Sequence, residues 1–383
     1  MTPRITIAYI IDTIATSSAG TEKQLLLLLN NLDRGRFSPH LICLRGSKWL
    51  DENRLGVPVT VLGLKSLASF SAVRAFLQLR KYVRKNEIEI IQTFFVDANL
   101  FGTVAGFFSR VPVIVSSRRN VGMGYWHTPM WLRILRVLRR MTTCYIANSK
   151  FTANYSIDVE RLDPARVHVV YNGLDFEKYE RLNKDFRRQC REELGITDKE
   201  ILIGIVANLR KIKNLSLFVE AARIVHAGHP DTRFVMVGEG EERGALESKI
   251  GDYGLTEVVK LTGQVTDPLP VLAAMDIAAL CSKGESLSNS IIEYMACALA
   301  VVASDVDGNR EALGEGNGLL FKSGDEKDFS EKIEQLILDP EMRKQLGQKA
   351  RVHAHKTYGR AAALRRHQEL YERYASSGAF TKR

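Results

Sequence analysis

Two glutamates, Glu285 and Glu293, stand eight residues apart across the segment Cys281-Ser-Lys-Gly-Glu-Ser-Leu-Ser-Asn-Ser-Ile-Ile-Glu293. The apolar run before it predicts a strand that ends in a loop bearing Glu285. A helix opens near Ser288 and carries Glu293 in its first turns. Backbone N–H groups at such a helix start, at the positive end of its dipole, suit a pyrophosphate. The flanking carboxylates suit neutral hydroxyls, one from a sugar and one from a ribose. A second reading stays open, with Ser290-x-x-Glu293 as a capping box and Glu285 as a solvated loop acid.

Cations come from Asn208-Leu-Arg210-Lys-Ile-Lys213-Asn214, directly after another strand. A departing diphosphate gains negative charge as its bond breaks, and cations fixed beside it act more strongly on the transition state than on the ground state. The plainer alternative is a solvated basic turn. Thr16-Ser-Ser-Ala-Gly20-Thr-Glu22 follows the first strand, and Gly20 permits close backbone approach to a ligand. It equally reads as a turn with Ser18 or Thr21 capping a helix. Gly238-x-Gly-x-x-Arg243 lacks the third glycine of a dinucleotide fingerprint, which argues against NAD. Asp305-Val-Asp307 has the form of a metal-binding D-x-D, a pattern frequent by chance, and no metal is expected.

These groups need a scaffold, and the chain alternates short β-branched runs with amphipathic helices, as parallel α/β domains do. Strands are predicted at 5–11, 40–44, 60–62, 88–92, 113–116, 144–147 and 167–170. The pattern restarts at 201–207 and continues at 234–237, 259–261, 277–281, 300–303 and 318–321. The polar stretch 172–199 reads as a linker plus one helix. A length of 383 residues fits two domains. No stretch approaches the roughly 18–20 apolar residues that span a bilayer. Five scattered cysteines without a C-x-x-C pair fit a reducing cytoplasm and no zinc site. The formal charge of +10 asks for an anionic partner, and no nucleic-acid-binding signature accompanies it. Residues 125–140, from Tyr125 to Arg140, form a basic amphipathic pattern with Trp131, Leu135 and Leu138 on one face and Arg133, Arg136 and Arg140 on another. That face seats either in the core or in an anionic membrane interface.

The Glu285/Glu293 segment resembles the E-x7-E signature of the family-4 retaining glycosyltransferases ("glycosyl transferases group 1") of GT-B fold. Further elements fall in that family's order: Asn148-Ser149, Asn172-Gly-Leu-Asp175, Gly238-x-Gly-x-x-Arg243, and Val301–Asp305 with Gly308–Glu311. The resemblance implies an α/β chain of two Rossmann-like, doubly wound domains facing a central cleft. Residues 1–172 would form an acceptor-side domain and 173–357 a nucleotide-sugar domain, with 358–383 a C-terminal helix packing back on the first. It implies metal-independent, retaining transfer of a hexosyl or N-acetylhexosaminyl unit. The donor would be a nucleotide diphosphate sugar, UDP favoured, and the acceptor a glycan or lipid-linked molecule of cell-surface polysaccharide biosynthesis, with no cofactor.

By the same resemblance Glu285 holds donor-sugar hydroxyls, Glu293 the ribose, and the N–H groups of Leu287, Ser288 and Asn289 the diphosphate. Lys213 takes the place of the family's phosphate-binding lysine. The family arginine falls on Asn208, so Arg210 would reach in instead. Gly20 and Gly238 belong to donor-side turns. Where the family commonly has histidine this chain has Arg118, and Arg118 or Arg119 would hold an acceptor phosphate. A sugar-nucleotide epimerase of the same architecture, or a non-catalytic basic membrane-binding module, are the competing classes.

Overall fold

The computed structural model describes residues 4–17, 19–119, 128–180 and 182–376. The chain divides into two compact units, one of residues 1–173 with 360–383 and one of residues 174–359.

The first unit is built on seven parallel strands: β1 (Ile5–Ile11), β2 (Phe37–Cys43), β3 (Val59–Val61), β4 (Ile90–Phe94), β5 (Val113–Arg118), β6 (Cys144–Ala147) and β7 (Val167–Val169). Their order is β3-β2-β1-β4-β5-β6-β7, so the winding reverses between β1 and β4. Alternate residues of β1 serve opposite faces, as the two-residue period of a strand requires. Ile7, Tyr9 and Ile11 pack with the Gly20–Asn31 helix, and Ala8 and Ile10 with the Phe70–Lys85 and Val96–Phe108 helices. The last helix, Arg360–Ser376, belongs to this unit and docks through Tyr371, whose hydroxyl meets Tyr9 at 3.1 Å.

The second unit holds six parallel strands: β8 (Ile201–Val206), β9 (Thr232–Val237), β10 (Val259–Gly263), β11 (Ile277–Leu280), β12 (Ala300–Ser304) and β13 (Leu319–Phe321). The order is β10-β9-β8-β11-β12-β13, reversing between β8 and β11. β11 and β12 are buried along their whole length, as parallel strands covered by helices on both faces must be. The strand forecast stands throughout, with ends shifted by up to three residues. The stretch read as a linker plus one helix contains two, Glu177–Glu180 and Lys184–Leu194. Among the described residues no helix is long and apolar enough to cross a membrane.

Candidate active site

In open parallel sheets, ligand crevices lie beyond the strand carboxyl ends where the winding reverses. In the second unit that point is flanked by the loops after β8 and β11, which carry Lys213 and Glu285. The Lys213 ammonium forms an ion pair with Glu285 Oε1, and neither side chain is more than 22% exposed. Ser282 Oγ donates to the same oxygen at 2.7 Å. The loops are also joined through backbone, since Lys283 N–H donates to the Ile212 carbonyl at 2.8 Å. The Cys281 thiol donates to the carbonyls of Lys213 and Asn214 at 3.3 and 3.2 Å, and burial pushes it up to about 12. Glu285 is therefore no solvated loop acid, and the Lys213 turn is no free-standing basic loop.

A buried polar chain stands behind Glu285. Ser304 Oγ donates to the Ser282 carbonyl at 2.6 Å, and Asn309 Nδ2 donates to Ser304 O and Oγ, both at 3.1 Å. Ser282, Ser304 and Asn309 are completely buried. Next to Asn309, a Cβ on Gly308 would come within 2.2 Å of the Glu285 carbonyl oxygen, so only glycine lets that loop lie where it does. Sequence reasoning assigned no role to Ser282, Ser304, Gly308 or Asn309. Ser304, Gly308 and Asn309 do fall in the family-like stretches 301–305 and 308–311, which was the available signal.

The Asn289–Ala296 helix begins beside this pair. Ser288 is its N-cap, its hydroxyl accepting from Ile291 N–H at 3.3 Å. Ser290 is inside the helix and donates to the Val206 carbonyl at 2.7 Å, while Tyr294 OH accepts from Val206 N–H at 2.6 Å. The Ser290/Glu293 capping-box alternative is thereby overturned, because Ser288 is the N-cap and the Ser290 hydroxyl reaches back to the end of β8. Glu293 is buried on this helix and Leu287 is buried before it. The buried Tyr179 lies near enough that burial first, and the Glu293 carboxylate second, push its phenol far up.

Arg210 is exposed on the Lys213 turn. Gly238, at φ 146°, fits against Ala207, whose carbonyl oxygen a Cβ would meet at 2.0 Å. The turn beyond it buttresses the cation loop: Leu209 N–H donates to Glu239 O and Glu242 N–H to Leu209 O, each at 3.0 Å. Gly238 thus has a packing reason for being glycine. Asp305 and Asp307 both pair with Arg310, at 2.7 and 3.2 Å.

The remaining expected residues lie in the first unit. Arg118 is buried, with Nε at 2.9 Å and Nη2 at 2.9 Å from Glu160 Oε2, and its Nη1 donates to Ser116 Oγ at 2.6 Å. Its guanidinium also stacks 4.9 Å from the Tyr145 ring centroid. This corrects the acceptor-phosphate expectation for Arg118: its donors are committed to an internal ion pair that burial makes costly to break. Arg119 donates to Thr21 Oγ1 at 3.2 Å and to Asn172 Oδ1 at 2.7 Å. Burial pulls it down to about 10, against the opposing pull of Glu22. Thr21 is accordingly not a helix cap but a partner of Arg119; the other cap candidate, Ser18, lies outside the described residues. Gly20 begins the Gly20–Asn31 helix, after an Ala19 N-cap with no side-chain bond.

The helix expected over 125–140 runs Pro129–Leu138, and Tyr125 and Trp126 lie outside the described residues. Leu138 is buried and Trp131 and Leu135 are half-buried, so the apolar face proposed for a membrane turns largely toward the protein.

Two Rossmann-like units, each with its winding reversed mid-sheet, make this a protein of GT-B fold. The structure of HepE from Anabaena in complex with UDP and glucose superposes with a TM-score of 0.83 over 97% of this chain and 100% of that one, at 21% identity. WaaG, a glycosyltransferase involved in lipopolysaccharide biosynthesis, superposes with a TM-score of 0.76 over 95% and 99%, at 13% identity. Two family models match in succession, Glycosyltransferase Family 4 over residues 18–178 and Glycosyl transferases group 1 over residues 186–353. The chain belongs to the family-4 glycosyltransferases. It is 25% identical over 330 residues to the UDP-Gal:alpha-D-GlcNAc-diphosphoundecaprenol alpha-1,3-galactosyltransferase of Escherichia coli, covering 81% of this chain and 83% of the relative. Similarity to the putative glycosyltransferase EpsD of Bacillus subtilis, 28% over 205 residues, spans about half of each chain, 53% in both cases.

Proposed function

We propose that this chain transfers a hexosyl or N-acetylhexosaminyl unit from a nucleotide diphosphate sugar, UDP favoured, to a glycan or lipid-linked acceptor in cell-surface polysaccharide biosynthesis. The observation that carries the reading is the Lys213–Glu285 ion pair at the β8/β11 reversal, beside the start of the Asn289–Ala296 helix. A diphosphate entering there meets Lys213, Arg210 and the amides of Leu287, Ser288 and Asn289. As the anomeric C–O bond breaks, its two electrons pass to the diphosphate oxygen, where these groups stabilise the new charge, while the acceptor hydroxyl oxygen bonds the anomeric carbon and gives its proton to the departing diphosphate. Glu285 orients the sugar hydroxyls, and Glu293 the ribose. In the other unit Gly20 is read as part of a donor-binding turn and Arg119 as an acceptor-side residue. The reaction is read as retaining and metal-independent, the cationic role falling to Lys213 and Arg210, with no cofactor and with the protein working at the cytoplasmic face of a membrane. The galactosyltransferase of Escherichia coli and the UDP complexes of HepE support the donor and acceptor classes.

The test is transfer from a panel of sugar nucleotides to undecaprenyl-diphosphate-linked acceptors in the presence of EDTA, with the product anomer read by NMR. An α-linked product from an α-linked donor is expected. Full transfer by Glu285→Gln, an inverted product, or loss of activity in EDTA would each break a named part of the reading.

A further inference from the structure

β11 and β12 run in parallel register as far as Leu280 and Ala303. One step further on, side chains continue the pairing. Ser304 Oγ, at the end of β12, donates to the Ser282 carbonyl at 2.6 Å, and Ser282 Oγ donates to Glu285 Oε1 at 2.7 Å. Asn309, in the Asp307–Leu313 helix, closes the chain from behind, with Nδ2 at 3.1 Å from both Ser304 O and Ser304 Oγ. Donor counting gives this chain one direction. Ser304 O can only accept, so the amide must turn its NH2 group toward it, and both amide hydrogens are then used. Ser304 Oγ accepts from Asn309 and commits its single proton to Ser282 O. Ser282 likewise has one side-chain proton and gives it to Glu285.

Two features set Asn309 apart from ordinary filling of a core. Its Oδ1 is buried without a hydrogen-bond partner among the described residues, so the amide is kept at a desolvation cost for its two N–H groups. Packing alone would be served by leucine, which has nearly the same shape. The Ser304 carbonyl does not need Asn309 either, because Val306 N–H already donates to it at 2.8 Å. What the amide adds is a grip on the Ser304 hydroxyl, and hence on the Ser282 end of the Glu285 loop. The neighbouring Gly308 lies against the other end of that loop, where a Cβ would stand 2.2 Å from Glu285 O. One turn thus holds the loop at two points.

We infer that Asn309 is a positioning residue for the transfer reaction, fixing the Glu285 carboxylate through Ser304 and Ser282. Oε1 takes both Lys213 and Ser282, which leaves Oε2 for a sugar hydroxyl. A carboxylate that must meet one hydroxyl of a reacting sugar feels any displacement of its loop, and an error of about 1 Å costs up to ~100-fold in rate. The kinetic side of the inference rests on the transferase reading, and the placement of Glu285 does not.

Asn309→Leu and Ser304→Ala should each lower kcat at least about tenfold, with KM for the donor changing less than about twofold. Thermal unfolding of Asn309→Leu should keep the wild-type midpoint, since the unpaired acceptor leaves with the amide. The double variant should be no slower than the slower single one, because both substitutions cut the same chain. Crystals of Asn309→Leu should show Glu285 parted from Lys213 in an otherwise unchanged sheet. Wild-type kcat in either folded variant would overturn the inference. So would a rise in KM alone, multiplied losses in the double variant, or an unmoved Glu285. Should the wild-type chain transfer no sugar from any donor of the panel, the transferase reading falls and the crystals alone decide. A displaced Glu285 then upholds the positioning role, and an unmoved one ends it.

Discussion

The two units share one topology and furnish their reversal points differently. In the second unit Lys213 and Glu285 meet there, with Arg210 and Lys211 exposed on the same turn and a helix start alongside. In the first unit the loop after β1 brings Asp12, which accepts from Ala98 N–H at 2.7 Å. Burial chiefly raises Asp12 to about 6, with Asp97 adding to the rise and the Ala98 amide and Arg45 opposing it. In the first unit Arg45 is matched by Asp97 and Arg118 by Glu160. The second unit's turn keeps a surplus of positive charge. A reversed parallel sheet supplies a crevice, but the charges placed in it decide whether an anion is welcome.

The largest test of that difference is Lys213→Met. Losing the cation at a developing diphosphate charge should lower kcat/KM about 10³-fold with little loss of stability, whereas an equal loss from Arg119→Met would erase the distinction between the units. Arg118→Met should act the other way. It leaves Glu160 buried and unpaired, which costs about 3–5 kcal/mol in denaturant unfolding, while UDP affinity of the folded fraction stays at the wild-type value. Ser282→Ala removes one donor from Glu285 and should lower kcat about tenfold, the scale of a hydrogen bond to a charged group, with KM for donor changing less.

A further effect is one of pH. Burial lowers His367 from 6.5 to about 4, with Arg119 adding to the fall and a bond to the Ala363 carbonyl opposing it. Between those values the unfolded chain binds the extra proton and the folded one does not, so stability falls as pH drops from 6.5 toward 4. His367→Gln should flatten that part of the wild-type unfolding curve. An unchanged slope would mean that His367 does not carry the term.

Much of this was readable beforehand. β-branched runs such as Cys144–Ala147 announced the strands, and the spacing of Glu285 to Glu293 announced a strand–loop–helix site. Pairing was not readable. Lys213 lies 72 residues before Glu285, and Arg118 lies 42 before Glu160, separations that only the folded sheet closes. Arg118 therefore looked like a site residue when it is an internal ion pair. Periodicity reveals an apolar face but not what covers it: Trp131 and Leu135 are half-buried, whereas Phe70 and Leu77 on the Phe70–Lys85 helix are exposed.

Calorimetric titration of UDP into the full chain tests the central claim most directly, that the second unit's reversal point is where the nucleotide diphosphate is held. Lys213→Met and Glu293→Gln should each weaken UDP binding at least about tenfold, near 1.4 kcal/mol, with Arg119→Met unchanged. Wild-type affinity in both second-unit variants, with loss in Arg119→Met, would contradict it.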